Sequence, residues 1–172
     1  MTLSSLRVRP VMGLLLLAAW LLSVGACAQP REIDGFHLRV FPASEAGRSS
    51  DLPAVFAEIA ARTAARERGL SGRTSLPPNG GMLFVYRESR QKEFWMKDCH
   101  IGLDIAFLKE DGSIASLHTL PPGAGLDEIP RAASGAPVRY VLETAAGWMA
   151  EHGLKTGDRV DVRRVVAGVQ AD

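Results

Sequence analysis

The sequence predicts an α+β fold, mainly antiparallel β, in which one compact curled sheet, a sandwich or a barrel, carries two short helices. Three observations predict it. The apolar segments from residue 82 onward are short: MLFVY (82–86), EFWMK (93–97), LDIAFL (103–108), SIASLHTL (113–120) and VRYVLE (138–143). Gly, Pro and Asp-Gly punctuation separates them, as between antiparallel strands. Helical patterns are few and short, confined to residues 51–69 and 144–151. A sheet that outweighs its helices this way closes on itself or packs face to face.

The chain has 172 residues, 47% of them apolar and 23% charged, enough for one domain with a true core and too few for two. Residues 1–28 stand apart from it. Arg7 and Arg9 precede the apolar run VMGLLLLAAWLLSVGACA, which ends in small residues before Gln29 and Pro30. That order is a secretory signal peptide. A retained anchor needs about 20 apolar residues, whereas this run contains Ser23 and two glycines. Two cleavage sites compete. Val24-Gly25-Ala26-Cys27 resembles a lipobox, with Cys27 lipidated, and Ala26 with Ala28 gives an A-x-A site. Residues 29–35 read as a linker, 36–165 as a single globular domain and 166–172 as a flexible tail. Cleavage leaves Cys99 as the one mature thiol, so the domain holds without a disulfide in an oxidising compartment. It also leaves eighteen basic against nineteen acidic residues. With no basic excess, nucleic acid is not an expected partner.

In order along the domain, FHLRVF (36–41) reads as a strand and SEAGRSSD as a polar loop. Residues 51–69 are ambiguous. Leu52, Val55, Phe56, Ile59, Ala60 and Thr63 keep helical spacing, with Asp51 as cap and Gly69 as stop. The competing reading ends a strand near Ala60 and caps a helix with the Thr63 hydroxyl. Asp111-Gly112 marks a hairpin, because both central residues of a type I′ turn need positive φ. Residues 121–137 form a long irregular connection, and such loops are functional or mobile. Thr144 caps a helix to Glu151, ended by Gly153, and RVDVRRV closes the chain as a strand.

Several phrases together resemble one family: RERGLSGRTSLPPNGGMLFVY, FWMKDCHIGLDIAFL, DGSI, YVLE, AAGW and GLKTGDRV. Over about residues 54–163, in order, the chain is similar to exported or envelope-associated proteins of domain of unknown function 192, also classed as uncharacterised protein family 0127. The resemblance implies a compact, mostly β fold with short helices and supplies no mechanism. It also implies a strand at VFAEIA and a helix with its exit at TAARERGLSGR, which splits residues 51–69. Two departures stand out: Ser71 where the family usually has Met, and Asp98-Cys99 where it usually has Asn-Thr.

The stretch EFWMKDCHIGLDIAF concentrates reactive residue types. Cys99 beside His100 is a minimal nucleophilic pair, but on a strand neighbours face opposite ways, and a family-wide cysteine reaction does not fit a position that usually holds threonine. The soft ligands Met82, Met96, Cys99, His100, His118, Met149 and His152 suit copper, yet no metal-ligand spacing gathers them. No motif implies a cofactor. Asp98, Asp104 and Glu143 are the carboxylates of interest, with Lys97, Arg68, Arg73 and Arg139 as partners. A buried carboxylate must be paired or hydrogen-bonded, so a structural polar network is their bland reading. Alternation puts Phe94 and Met96 on one face and Trp95 with Lys97 on the other, where a rigid ring can orient a sugar or another flat polar ligand.

The expected function is a non-catalytic binding or accessory module of a bacterial envelope, periplasmic or lipid-anchored. Its site would be Trp95, Lys97, Asp98, Asp104 and Glu143, roofed by residues 121–137. Its partners would be an unknown small polar ligand and, through Cys27, the membrane. Two alternatives are a carboxylate-dependent hydrolase of an envelope polymer and periplasmic copper handling.

Overall fold

The computed structural model describes residues 35–43 and 53–172. The expected signal peptide with Cys27 and Ala28, the linker up to residue 34 and the loop from residue 44 lie outside the described residues. In chain order the elements are β1 (Gly35–Phe41), β2 (Ala54–Ala60), α1 (Thr63–Arg68), β3 (Gly80–Arg90), β4 (Glu93–Trp95), β5 (Leu103–Leu108) and β6 (Ile114–Leu120). There follow β7 (Arg131–Ala133), β8 (Val138–Ala145), α2 (Trp148–Glu151), β9 (Arg159–Val160) and the single turn α3 (Arg163–Val166). The class is α+β, as expected.

Seven strands form one sheet in the order β6-β5-β8-β3-β2-β1-β9, and β4 pairs with β7 as a separate ribbon. Pairing is antiparallel except between β2 and β3. Those two run parallel because α1 lies between them as a crossover, which a tight turn could not provide. At one end the edges meet. Ser113 bridges Arg159, Ile114 N donates to Asp158 O at 2.7 Å and Val160 N donates to Gly112 O at 2.9 Å. The sheet therefore curls into a half-barrel.

Two cores follow from the curl. Leu38, Val55, Leu83, Leu142 and Ala106 fill the inside, and Trp148 and Met149 of α2 join them. Met82, Phe84, Ile105, Phe107 and Val141 form a second core on the outer face with Met96. There Phe94 of the ribbon packs edge-on against Phe84, at 4.9 Å, and Phe107, at 5.8 Å. Because β5 is covered on both faces, LDIAFL is buried throughout and shows no polar alternation.

Residues 51–69 split as the resemblance implies. Val55 and Ala57 are fully buried while Phe56 and Glu58 are half-buried, so period two outweighs the helical spacing. Several local expectations are corrected. Thr63 is the first helical residue rather than the cap, which is Arg62 without a side-chain bond; the Thr63 hydroxyl instead donates to Asp172 Oδ1 at 3.1 Å. Thr144 lies in β8, and the second helix shrinks to residues 148–151 behind Gly147 at φ +91°. In RVDVRRV only Arg159 and Val160 are strand. At the hairpin only Gly112 has positive φ. The Asp111 carboxylate accepts from Ser113 N (2.9 Å) and Oγ (2.7 Å), an Asx-type arrangement that replaces a type I′ turn. The tail expected to be flexible lies against the fold: Val169 and Ala171 pack on the inner core and Asp172 pairs with Arg66 at 2.9 Å.

Asp104 ties these parts together. It is 2% exposed, and its carboxylate accepts from Thr119 Oγ1 of β6 at 2.6 Å and from Met149 N of α2 at 2.8 Å. One side chain thus joins β5, β6 and the helix that closes the barrel end. Asp104→Ala should lower stability by about 3 kcal/mol, since both donors lose their acceptor in a buried setting. Urea unfolding measures this; a loss below about 1 kcal/mol would remove the network from any role in the fold.

Candidate functional site

The site is built on a four-residue turn. After Trp95 the ribbon strand ends, and Cys99 N donates to Met96 O at 3.1 Å, closing Met96-Lys97-Asp98-Cys99. Asp98 takes the third position with φ +56°, a conformation that Asn and Asp tolerate better than other residues with a Cβ. The turn is clamped on two sides. Gly72 N, at the exit of α1, donates to Asp98 O at 2.9 Å, while Gly123 N and Ala124 N both donate to Cys99 O at 3.0 Å. A Cβ on Gly123 would lie 2.3 Å from Met96 O, so this approach requires glycine.

Between the turn, α1 and the outer face of β8 lies a pocket of about 220 Å³. Phe84, Leu70, Cys99 and Glu143 are its buried inner wall, and Trp95, Lys97, Asp98 and Arg68 are its exposed mouth. A second recess of about 210 Å³ shares Arg66, Glu67, Phe94 and Trp95 with it and continues to Tyr86. The Trp95 ring, 51% exposed, stands at the junction, with Lys97 Nζ and Arg131 Cζ at 5.5 and 5.3 Å from its centroid.

Four of the five residues singled out by sequence, Trp95, Lys97, Asp98 and Glu143, line this pocket. Asp104 does not. In the register of β5 against β8, Ile105 faces Glu143 and Asp104 faces Thr144, so the two carboxylates occupy opposite faces of the sheet. Nor does the loop of residues 121–137 roof the pocket; none of its residues lines it, and the wall is α1 with its exit. Sequence reasoning noted Arg68 only as a partner for the carboxylates and missed Arg66, Leu70 and Ser71. The signal was the tie between the helix exit and the turn, which no spacing in a single sequence encodes.

Two of the four expected partners of the carboxylates, Arg73 and Arg139, are engaged elsewhere, while Arg68 and Lys97 stand at the pocket mouth. Arg73 grips Glu58 through two bonds, at 2.5 and 2.7 Å, and Arg139 pairs with Glu110. Cys99 and His100 are separated by burial rather than by strand alternation, because the segment is a turn: Cys99 is buried and His100 exposed. The thiol donates weakly to Lys97 O at 3.6 Å. Burial, then the nearby Glu143 and Asp98, pushes it up to about 11. Such a thiol is protonated at neutral pH and is no nucleophile. Among the described residues no three His, Cys, Asp or Glu side chains gather as a metal site; Met82 and Met96 are apolar core filling.

The DUF192 family model, described as an uncharacterised ACR, matches residues 45–162. The chain belongs to the DUF192 family. No curated protein matches it. Among solved structures, a candidate transcription regulator from Sinorhizobium meliloti 1021 is 35% identical with a TM-score of 0.63, covering 73% of this chain and 91% of its own. A protein of unknown function from Novosphingobium aromaticivorans DSM 12444 is 27% identical with a TM-score of 0.61, over 74% and 84%. Every residue of the pocket falls within the family match.

Glu143 dominates the chemistry of this DUF192 site. It is 5% exposed and forms no hydrogen bond among the described residues. Burial raises its carboxyl to about 8 from an ordinary 4.5, so it is an uncharged acid at neutral pH. Between about pH 4.5 and 8 the unfolded chain releases this proton and the folded one keeps it. Stability therefore falls as pH rises through that window, by up to about 1.4 kcal/mol per unit, and levels off above it. Glu143→Gln should gain on the native protein along this slope, as urea unfolding from pH 5 to 8.5 would measure; parallel profiles would show that the acid ionises normally.

Proposed function

We propose that this DUF192 protein is a non-catalytic binding or accessory module of the bacterial envelope that holds a small polar ligand in the Glu143 pocket. One observation carries the reading. A carboxyl on a largely buried residue at the inner wall of a pocket takes no hydrogen bond among the described residues, and its oxygens are not among the fully enclosed unpartnered atoms, so they face the pocket instead of a protein partner. Uncharged, it offers both a donor and an acceptor to a ligand's hydroxyl or amide. Trp95 and Lys97 at the mouth supply a flat wall and a charge, the mixture that orients small ligands.

The hydrolase reading retains one support, that Asp98 and Glu143 line the same pocket. It lacks Asp104, and its acid would have to act beside a thiol and an apolar wall with Asp98 held at the exposed mouth. Copper handling lacks a ligand cluster among the described residues. Nucleic acid is not proposed as a partner, because the charge balance offers no basic surface excess.

A screen of small polar compounds by thermal shift should yield hits whose shifts shrink in Glu143→Gln and Trp95→Ala and persist in Asp104→Asn. Hits indifferent to the first two substitutions would place binding elsewhere.

The order of residues 1–28 supports export, and Cys27 supports a lipid anchor. No helix of the described residues is long and apolar enough to cross a membrane. Intact-mass analysis of the mature protein should find a chain beginning at Cys27 with an added lipid mass. A chain beginning at Gln29 would make the protein a soluble export, and an uncut chain would overturn the signal peptide.

A further inference from the structure

The charges around the pocket carry the reading above one step further, to the class of ligand. Arg66 is engaged: its guanidinium donates to the carbonyls of Ala61 and Val85 and pairs with Asp172. Arg68 and Lys97 also line the pocket, and among the described residues neither has an ion-pair partner. The carboxylates of Glu67 and Asp98 are at the same mouth. Both are exposed, as Arg68 and Lys97 are, so solvent screens all four alike, and none of the four is ion-paired to another among the described residues. The inner wall is different, with one uncharged acid, a thiol and two apolar side chains. The site thus has two chemically distinct ends, one outside that offers two unpaired cations beside two carboxylates and one inside that is neutral but hydrogen-bonding, with the Trp95 ring between the pocket and its neighbouring recess.

A volume of about 220 Å³ corresponds to about seven water molecules at ~30 Å³ each, the bulk of one monosaccharide. A guanidinium and an ammonium together favour a carboxylate, which Arg can grip through two parallel bonds. A second charge deep in the pocket would face a buried, unpaired setting, so the inserted end must be neutral. Resting on the binding reading, we infer that the pocket selects a polyhydroxylated monoanion, a sugar acid, with its carboxylate on Arg68 and Lys97, a hydroxyl on Glu143 and its ring along Trp95.

Calorimetric titration of the mature protein at pH 6.5 and low salt, with glucuronate, N-acetylmuramate and glucose, tests it. The acids should bind at least about tenfold more tightly than glucose, and added salt should erode that advantage. The double variant Arg68→Gln, Lys97→Gln should bring the acids down to the level of glucose, with its fold checked by thermal melting. Arg163→Gln, a surface control whose side chain is exposed and lines neither recess, should change nothing. Glucose binding as tightly as the acids, an acid preference kept by the double variant, or no binding of either acid at millimolar concentration would overturn the inference. If the acids and glucose bind equally and Glu143→Gln weakens all of them, the inference fails and the binding reading stands. If the acids depend on Arg68 and Lys97 but ignore Glu143→Gln, the anion site stands and the Glu143 reading falls.

Discussion

The register of β5 against β8 is the constraint on which the site depends. Because Ile105 lies opposite Glu143 and Asp104 opposite Thr144, two carboxylates that sequence reasoning groups together are assigned to different faces and different tasks. Inside the half-barrel, Asp104 is satisfied by a hydroxyl and a backbone amide and holds α2 over the barrel end. Outside, Glu143 is left to the pocket. A one-residue slip of either strand would exchange the two faces and turn every outer-core side chain of that strand into the inner core. Flanking apolar residues prevent this: Ala106 and Leu142 pack inward while Ile105 and Val141 pack outward.

Glu143 is also where fold and site make opposing demands. A carboxylate there, ionised, would be a buried charge without a partner, one of the costliest arrangements a core can hold. The fold avoids that cost by keeping the proton, and the raised carboxyl is the physical sign of it. Glutamine would satisfy the same geometry without titrating, so stability alone gives no reason for an acid. An acid at this place is better accounted for by what the pocket contacts than by what the sheet needs, in line with strongly perturbed groups in clefts elsewhere.

Much of the fold was legible in the sequence because short apolar runs bounded by Gly, Pro or Asp-Gly punctuation report strands directly, as at β3, β5, β6 and β8. Thr63 and Thr144 suit local capping roles by residue type, and tertiary partners overrode both: Asp172 took the Thr63 hydroxyl, and β5 and β3 took the Thr144 backbone. At Asp111 one local pattern replaced another, its carboxylate accepting from Ser113 two residues on. In the site, alternation correctly separated Trp95 and Lys97 from Phe94 and Met96. What it could not supply was α1 as the facing wall. That wall depends on a parallel crossover and on Gly72 reaching Asp98 O, contacts between segments more than twenty residues apart.

The same turn explains why the most reactive-looking letters are the least reactive atoms. Placing Asp98 at positive φ turns the chain so that Cys99 goes inward and His100 outward, which separates a thiol from its nearest imidazole. Burial, with Glu143 and Asp98 nearby, then pushes the thiol up to about 11, so it stays protonated at neutral pH. An enzyme using this cysteine would need a cation against it, and the pocket's Arg68 and Lys97 stand at the exposed mouth. A threonine, the family's usual residue here, would fill the same small buried place with a hydroxyl. The base of the pocket therefore holds a protonated thiol beside the Glu143 carboxyl, with no nucleophile poised there.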